Sequence, residues 1–384
     1  MKASSGAMLA TLSLAHLIND SYSALLTPLL PSLQMRFGVT IAQATFLVAV
    51  SSFVSSMLQP VFGAWADGRA RRPLAALGPL LCGFGMVWIG FSPIFAGVVL
   101  LVALSGIGSA VFHPSSIAYV HLASRRERRG LYTALFSAMG TAGLAVGPIS
   151  AVALGLDGLP YLLPAGVLIA ALVWYVTPPL DQSVPIVRRT FRDYARVFHG
   201  PMRTLWAMGV LRSISTISWL TLVGFALVPA GYGRHVGPAL ATYNIAAALG
   251  GIVGGRISDR VGRIPVLRSS ILVSLPLFVW LVYSTPGNWW YYPLTALVGA
   301  LVTANIPVSV VTAQEYAPNN VATASALMMG FTWGTAGVLV LFVGMLADAT
   351  SPQIAMTASI AALLPALWLT SRLPEPGSDD AGTT

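Results

Sequence analysis

Charge is what this sequence most lacks. Only 9% of its 384 residues are Asp, Glu, Lys or Arg, against about 25% in a soluble globular domain, while 56% are hydrophobic. A water-soluble fold of this length has no way to hide so much apolar surface, which excludes a soluble enzyme or binding protein. Cysteine is nearly absent too. The single Cys82 rules out an internal disulfide, and its place inside an apolar run predicts a packed thiol. Acidic residues are scarce wherever they would be buried: Asp20 is the only one deep in an apolar run, while Asp157, Glu315 and Asp348 fall near run ends.

What is present is a series of long apolar runs, each near the roughly 20 residues that a membrane crossing needs. They cover 8–34, 41–66, 74–91, 95–121, 131–153 and 160–177, then 204–230, 237–257, 265–284, 288–313, 321–346 and 352–371. The fold class predicted is an all-α polytopic membrane protein with twelve transmembrane helices in two six-helix bundles. The bundles cover 1–180 and 201–371, joined by a cytoplasmic linker, 181–200, and followed by a cytoplasmic tail, 372–384. In the linker, Val187, Phe191, Tyr194 and Phe198 recur at helical spacing, consistent with a short amphipathic helix on the inner membrane surface or with a solvated connector. The apolar N-terminus lacks a convincing cleavage site and reads as a retained first helix.

The net charge of +9 would suggest nucleic acid in a soluble protein. Here the arginines sit in short clusters between apolar runs, a pattern that reports orientation. With the N-terminus inside, the cytoplasmic loops collect 18 of the 21 Lys and Arg residues; Arg36 and Arg234 fall outside, and Arg212 falls within a helix. Both termini are therefore expected in the cytoplasm.

The halves repeat. "GAWADGRARR" from Gly63 and "GGRISDRVGR" from Gly254 each follow the second run of their half, and Asp67 and Asp259 lie 192 residues apart. "GTAG" at Gly140 returns at Gly334, 194 residues on. A duplicated six-helix unit with this loop motif resembles the major facilitator superfamily over essentially the whole chain. The second motif copy matches that family at Gly255, Asp259, Arg260, Gly262 and Arg263. The first keeps Gly63, Asp67, Arg71 and Arg72 but has Gly68 and Ala70 in place of Arg and Gly. "GLAVGP" from Gly143 resembles the fifth-helix motif of antiporters. Within the superfamily, "HLINDSYSALLTPLLPSL", "GIGSAVFHPSSIAYV" and "RGLYTALFSAMGTAGLAVGP" resemble the fosmidomycin-resistance-type exporters. Relatives of that type often have an acidic residue where Ser115 stands. The resemblance implies alternating access around a site near the midplane, with the loop motifs acting as a conformational latch.

The polar residues inside the runs are the candidate site. Ser13, His16, Asp20, Ser23 and Thr27 step by three, four, three and four, so they share one helical face. Lipid cannot solvate such a stripe, so it must face other helices or a cavity. Adding the repeat offset to Asp20 gives Arg212. Helices 1 and 7 flank the central cavity in this superfamily, which implies that the two residues face each other. Asp20, His16 and Arg212 are the proton-coupling candidates. Asn19, Asp20, His113, Arg212, Trp219, Asn244, Asn305 and Trp333 are the substrate-binding candidates, although packing accounts equally for several of them. His-x-x-x-Asp is also an acyltransferase spelling, but no cosubstrate pocket accompanies it, so no enzyme is expected.

The function expected is a proton-coupled secondary transporter exporting small toxic compounds or antibiotics. The alternative is a proton symporter importing a small organic anion held by Arg212. The partners are a small-molecule substrate, protons and the lipid bilayer, with no nucleic acid. No cofactor or metal is expected, and the protein is read as a monomer in a bacterial inner membrane. The topology is testable. Glu127→Cys should resist a membrane-impermeant thiol reagent in intact cells and react once the cells are permeabilised; labelling from outside overturns the orientation.

Overall fold

A bilayer interior offers no partner for a free backbone N–H or C=O, so a chain that crosses it repeatedly does so as helices. The computed structural model describes residues 5–59, 62, 71–124, 128–179 and 195–376, and it contains no strand among them. The helices are α1 (Ser5–Ser23), α2 (Leu26–Phe37), α3 (Ile41–Met57), α4 (Arg71–Val87), α5 (Phe95–Ala123), α6 (Arg129–Gly158) and α7 (Leu163–Val176). After the linker come α8 (Gly200–Leu227), α9 (Val236–Val261), α10 (Arg263–Val282), α11 (Tyr291–Tyr316), α12 (Val321–Ala326), α13 (Thr332–Ala349), α14 (Pro352–Ala361) and α15 (Leu363–Thr370).

Nine segments among the described residues are long and apolar enough to cross a membrane, and one of them, Gly130–Val176, contains both α6 and α7. The pair α1–α2 and the shorter apolar α3 complete the twelve crossings. The breaks have local causes. The first crossing is interrupted at Ala24–Leu25, shortly before Pro28, which cannot donate to the preceding turn. A π-helical segment, Leu327–Phe331, sits between α12 and α13, and α6 carries a left-handed glycine, Gly155 (φ 62°).

The chain forms two units. The first comprises Met1–Val39, Val50–Arg188 and Val236–Ala241; the second comprises Thr40–Ala49, Arg189–His235 and Thr242–Thr384. In the first, α1 packs on α4, α5, α6 and α7, around a core that includes Leu12, Ala15, Ala76, Phe112, Tyr119, Phe136 and Val173. Small residues set the helix spacing: a Cβ on Gly108 would strike the backbone of Cys82, and one on Gly78 would strike Phe112. Cys82 is buried, as predicted, with its sulfur 3.3 Å from Ser105 Oγ. In the second unit α8 is the most buried crossing, with 78% of its apolar window inside. It packs against α13, α14 and α15. There α9 lies against the α11 backbone through Gly250 and Gly254, where any side chain would meet the Ala300 or Ala304 carbonyl.

Candidate functional site

On α1, residues 16 and 20 are one turn apart, so His16 and Asp20 share a face. His16 Nε2 lies 3.2 Å from Asp20 Oδ2. From α5, His113 Nε2 comes to 3.4 Å from the other carboxylate oxygen, Oδ1. Asn19, fully buried, donates its amide Nδ2 to Oδ1 at 3.0 Å. The sequence stripe therefore faces neighbouring helices of its own unit, and the structure brings His16, Asn19, Asp20 and His113 into one cluster.

The other nitrogen of each imidazole fixes the chemistry. His16 Nδ1 is 2.8 Å from the Phe136 carbonyl on α6, and His113 Nδ1 is 2.8 Å from the Ser109 carbonyl. A carbonyl oxygen can only accept, so both Nδ1 atoms carry protons. Each Nε2 then faces a carboxylate oxygen, and an attractive contact there needs a further proton between the two atoms. With a proton in each contact, the cluster is either two imidazolium rings around one carboxylate or one imidazolium and one neutral imidazole around a carboxylic acid. Loss of one proton turns a hydrogen bond into a lone-pair repulsion. The ligand-capable atoms of the three residues lie within 4.8 Å of one another, close enough for a cation, though shared protons satisfy the same contacts without one.

The walls hold this geometry. His16 stacks on Phe136 with ring centroids 4.1 Å apart and meets His113 edge-on at 5.1 Å. Gly140 is required beneath it, because any Cβ there would run into the imidazole ring. Gly143 and Gly147 likewise let α6 approach the Leu17 and Ser21 carbonyls of α1. "GTAGLAVG" thus serves as the small-residue seam that seats α1 on α6. Sequence reasoning missed Phe136 and Ser109. Their role is a main-chain carbonyl, which no residue type announces.

In the second unit Arg212 on α8 is 3% exposed. Its Nη2 donates to Ser213 Oγ at 2.7 Å, and its guanidinium lies 5.8 Å from the Trp333 ring centroid. Its Nε and Nη1 are buried without a hydrogen-bond partner. A buried cation with two unanswered donors is costly. The remaining candidates have separate surroundings. Trp219 stacks on Tyr243 at 5.0 Å inside the core. Asn305 is fully buried and donates to Ser270 Oγ at 3.4 Å, joining α11 to α10. Asn244 is half-buried on α9.

The second loop motif forms a charge cluster. Arg263 Nη1 bonds Asp259 Oδ1 at 2.6 Å and Ser258 Oγ at 2.9 Å, while Nη2 reaches Glu315 Oε1 at 3.0 Å. The ends of α9 and α11 are thereby tied to the start of α10. Gly262 (φ 96°) makes the turn, where a side chain would be strained. Arg260 is exposed, and nothing lies within 4 Å of where a Cβ on Gly255 would point. In the first copy, Gly63 and Asp67 lie outside the described residues. Arg71 is buried at the start of α4, and Arg72 Nε donates to the Trp174 carbonyl of α7 at 2.9 Å, over that residue's ring.

Three comparisons bear on this arrangement. The family model described as Major Facilitator Superfamily matches residues 12–340 and 233–383. The Fosmidomycin resistance protein of Escherichia coli (strain K12) is 28% identical over 96% of this chain and 93% of its own. The uncharacterized MFS-type transporter YfnC of Bacillus subtilis (strain 168) is 26% identical over 94% and 91%. Among solved structures, a bacterial homolog to the human lysosomal transporter Spinster, inward-facing and unoccupied, superposes with TM-score 0.82 at 15% identity, covering 97% of this chain and 98% of that one. A D-xylose-proton symporter superposes with TM-score 0.75 at 16% identity over the full length of both. These two likenesses concern the fold alone.

The Arg263 cluster yields a prediction. Asp259→Asn removes one of two carboxylates on Arg263 without changing shape. Transport should slow by about three- to tenfold while substrate affinity stays at the wild-type value, because an exposed pair contributes only about 1 kcal/mol. Paired initial-rate and equilibrium-binding measurements check it; an unchanged rate leaves the motif as an orientation signal only.

Proposed function

This chain belongs to the Major Facilitator Superfamily, and we propose that it is a proton-coupled exporter of small toxic compounds, antibiotics among them. It is a multi-pass membrane transporter and not an enzyme. We place both termini in the cytoplasm of a bacterial inner membrane, from the arginine distribution, and read it as a monomer working by alternating access.

The observation that carries the reading is the geometry of the His16–Asp20–His113 cluster. Two contacts, at 3.2 Å within α1 and at 3.4 Å between α1 and α5, each hold only while a proton occupies them. Imidazole is the side chain suited to exchanging protons in the physiological range. A proton lost from the cluster therefore changes how two helices are held, which is what coupling a proton gradient to a conformational cycle requires. In this reading the attraction between Asp20 and Arg212 belongs to another stage of the cycle. A carboxylate released by the histidines is free to answer a guanidinium, whereas here both of its oxygens are engaged. The export direction is supported by the likeness to the Fosmidomycin resistance protein.

A second reading, import of a small organic anion with protons, is favoured by one observation: the two unanswered donors of Arg212. An anionic group on the substrate would satisfy them. Growth of cells with and without the expressed gene on a panel of antibiotics, followed by counterflow in proteoliposomes, separates the two directions.

Two substitutions test the site. Asp20→Asn should abolish uphill transport driven by a pH gradient yet leave exchange at equal pH measurable; wild-type coupling in that variant removes Asp20 from the mechanism. Arg212→Ala should weaken binding of anionic compounds by at least about tenfold, since a charged hydrogen bond contributes roughly 1.5–3 kcal/mol, and should leave neutral ones unaffected. Equal losses for both classes would reduce Arg212 to a packing role.

A further inference from the structure

Asp348 sits in the last turn of α13, where a carboxylate opposes that helix's own dipole. Its side chain answers a different helix. Oδ1 accepts from the Ile41 N–H at 2.7 Å and Oδ2 from the Ala42 N–H at 2.8 Å, the first two amides of α3. The same helix end is already closed from within by a reciprocal capping box. Gln43 N–H donates to Thr40 Oγ1 at 3.1 Å, and Thr40 N–H donates to Gln43 Oε1 at 2.9 Å. Asp348 therefore takes the amides that the box leaves open, and does so as a charged acceptor at the positive end of a dipole.

The surfaces below are fitted as well. A Cβ on Gly344, one turn back along α13, would lie 3.1 Å from Ala42 Cα and collide with Thr45, whose side chain is fully buried. In the first half the acidic residue near the same helix end is Asp157 at the end of α6, three residues past the position that the 194-residue spacing of the two GTAG stretches assigns to Asp348. There the backbone approach is preserved, because a Cβ on Gly237 of α9 would come within 2.6 Å of the Pro148 carbonyl. The carboxylate contact is not: α9 has no side-chain cap, and Asp157 pairs with Arg36 at 3.6 Å.

We propose that Asp348 is a one-sided latch. Its carboxylate, seated on the Ile41 and Ala42 amides, holds the first turns of α3 against α13 and must let go for α3 to leave α13 during transport. The consequence rests on the alternating-access reading above; the docking geometry does not.

The test uses full-length protein in nanodiscs with Cys82→Ala and spin labels at two exposed positions, Met35→Cys, six residues before α3, and Ile354→Cys, six residues after Asp348. Electron–electron distance measurements report the separation. Asp348→Asn keeps the shape and loses the charge, and should raise the long-distance population by about fivefold. Gly344→Ala, which wedges the same surface without touching the charge, should shift it in the same direction. Asp157→Asn should match the wild type. A wild-type distribution in Asp348→Asn, with thermal unfolding showing it folded, overturns the latch, as does an equal shift in Asp157→Asn. Should Asp348→Asn not fold, Gly344→Ala decides: a wild-type distribution there also overturns it. A shifted distribution in a protein whose transport ignores the pH gradient would keep the latch and remove the proton-coupling reading.

Discussion

A bilayer cannot hydrate a charge, and everything distinctive in this chain follows from how it meets that constraint. A carboxylate at the centre of a crossing helix costs about 3 kcal/mol on insertion scales, so Asp20 persists only with its surroundings built around it. Both oxygens are engaged by imidazoles, each imidazole is anchored on a main-chain carbonyl, and Asn19 adds a neutral donor. None of these parts is separable. Without the Phe136 and Ser109 carbonyls the rings could flip and offer Nδ1 instead, and the contacts would no longer count protons.

The same constraint explains why glycine governs the helix seams. Apolar burial provides little attraction between helices whose alternative neighbour is lipid, so close backbone approach must supply it. Gly140, Gly143 and Gly147 bring α6 onto α1, and the closeness they permit is what sets His16 against Phe136. Packing and site chemistry are here one feature: the residue that tightens the seam also positions the titratable group.

Duplication gave the chain two copies of each device, and the copies have diverged in chemistry more than in shape. Asp348 caps a helix, whereas Asp157 bonds an arginine. The position on α1 holds a carboxylate among histidines, whereas its counterpart on α8 holds a guanidinium beside Trp333. A pair of symmetric halves would give no reason for substrate and proton to act at different places. In the proposed cycle the first unit handles protons and the second an anionic or polar group.

The sequence by itself determined the twelve crossings, the repeat and the family, because each rests on a property read along the chain: hydropathy over a span, arginine bias in loops and spacing between motifs. It also singled out His16, Asp20, His113 and Arg212, since a polar group in an apolar run is visible without a fold. Only the tertiary structure decided their partners. It joined His113 to Asp20 from residues 93 apart, gave Asp20 histidines for its ion pairs, and put Trp219 and Asn305 into packing contacts. It also revealed the role of Asp348, which the sequence showed only as an acid near a helix end. Partners are set by which faces the seams bring together, and by backbone carbonyls and amides that every residue carries alike, so no pattern of residue types could have disclosed them.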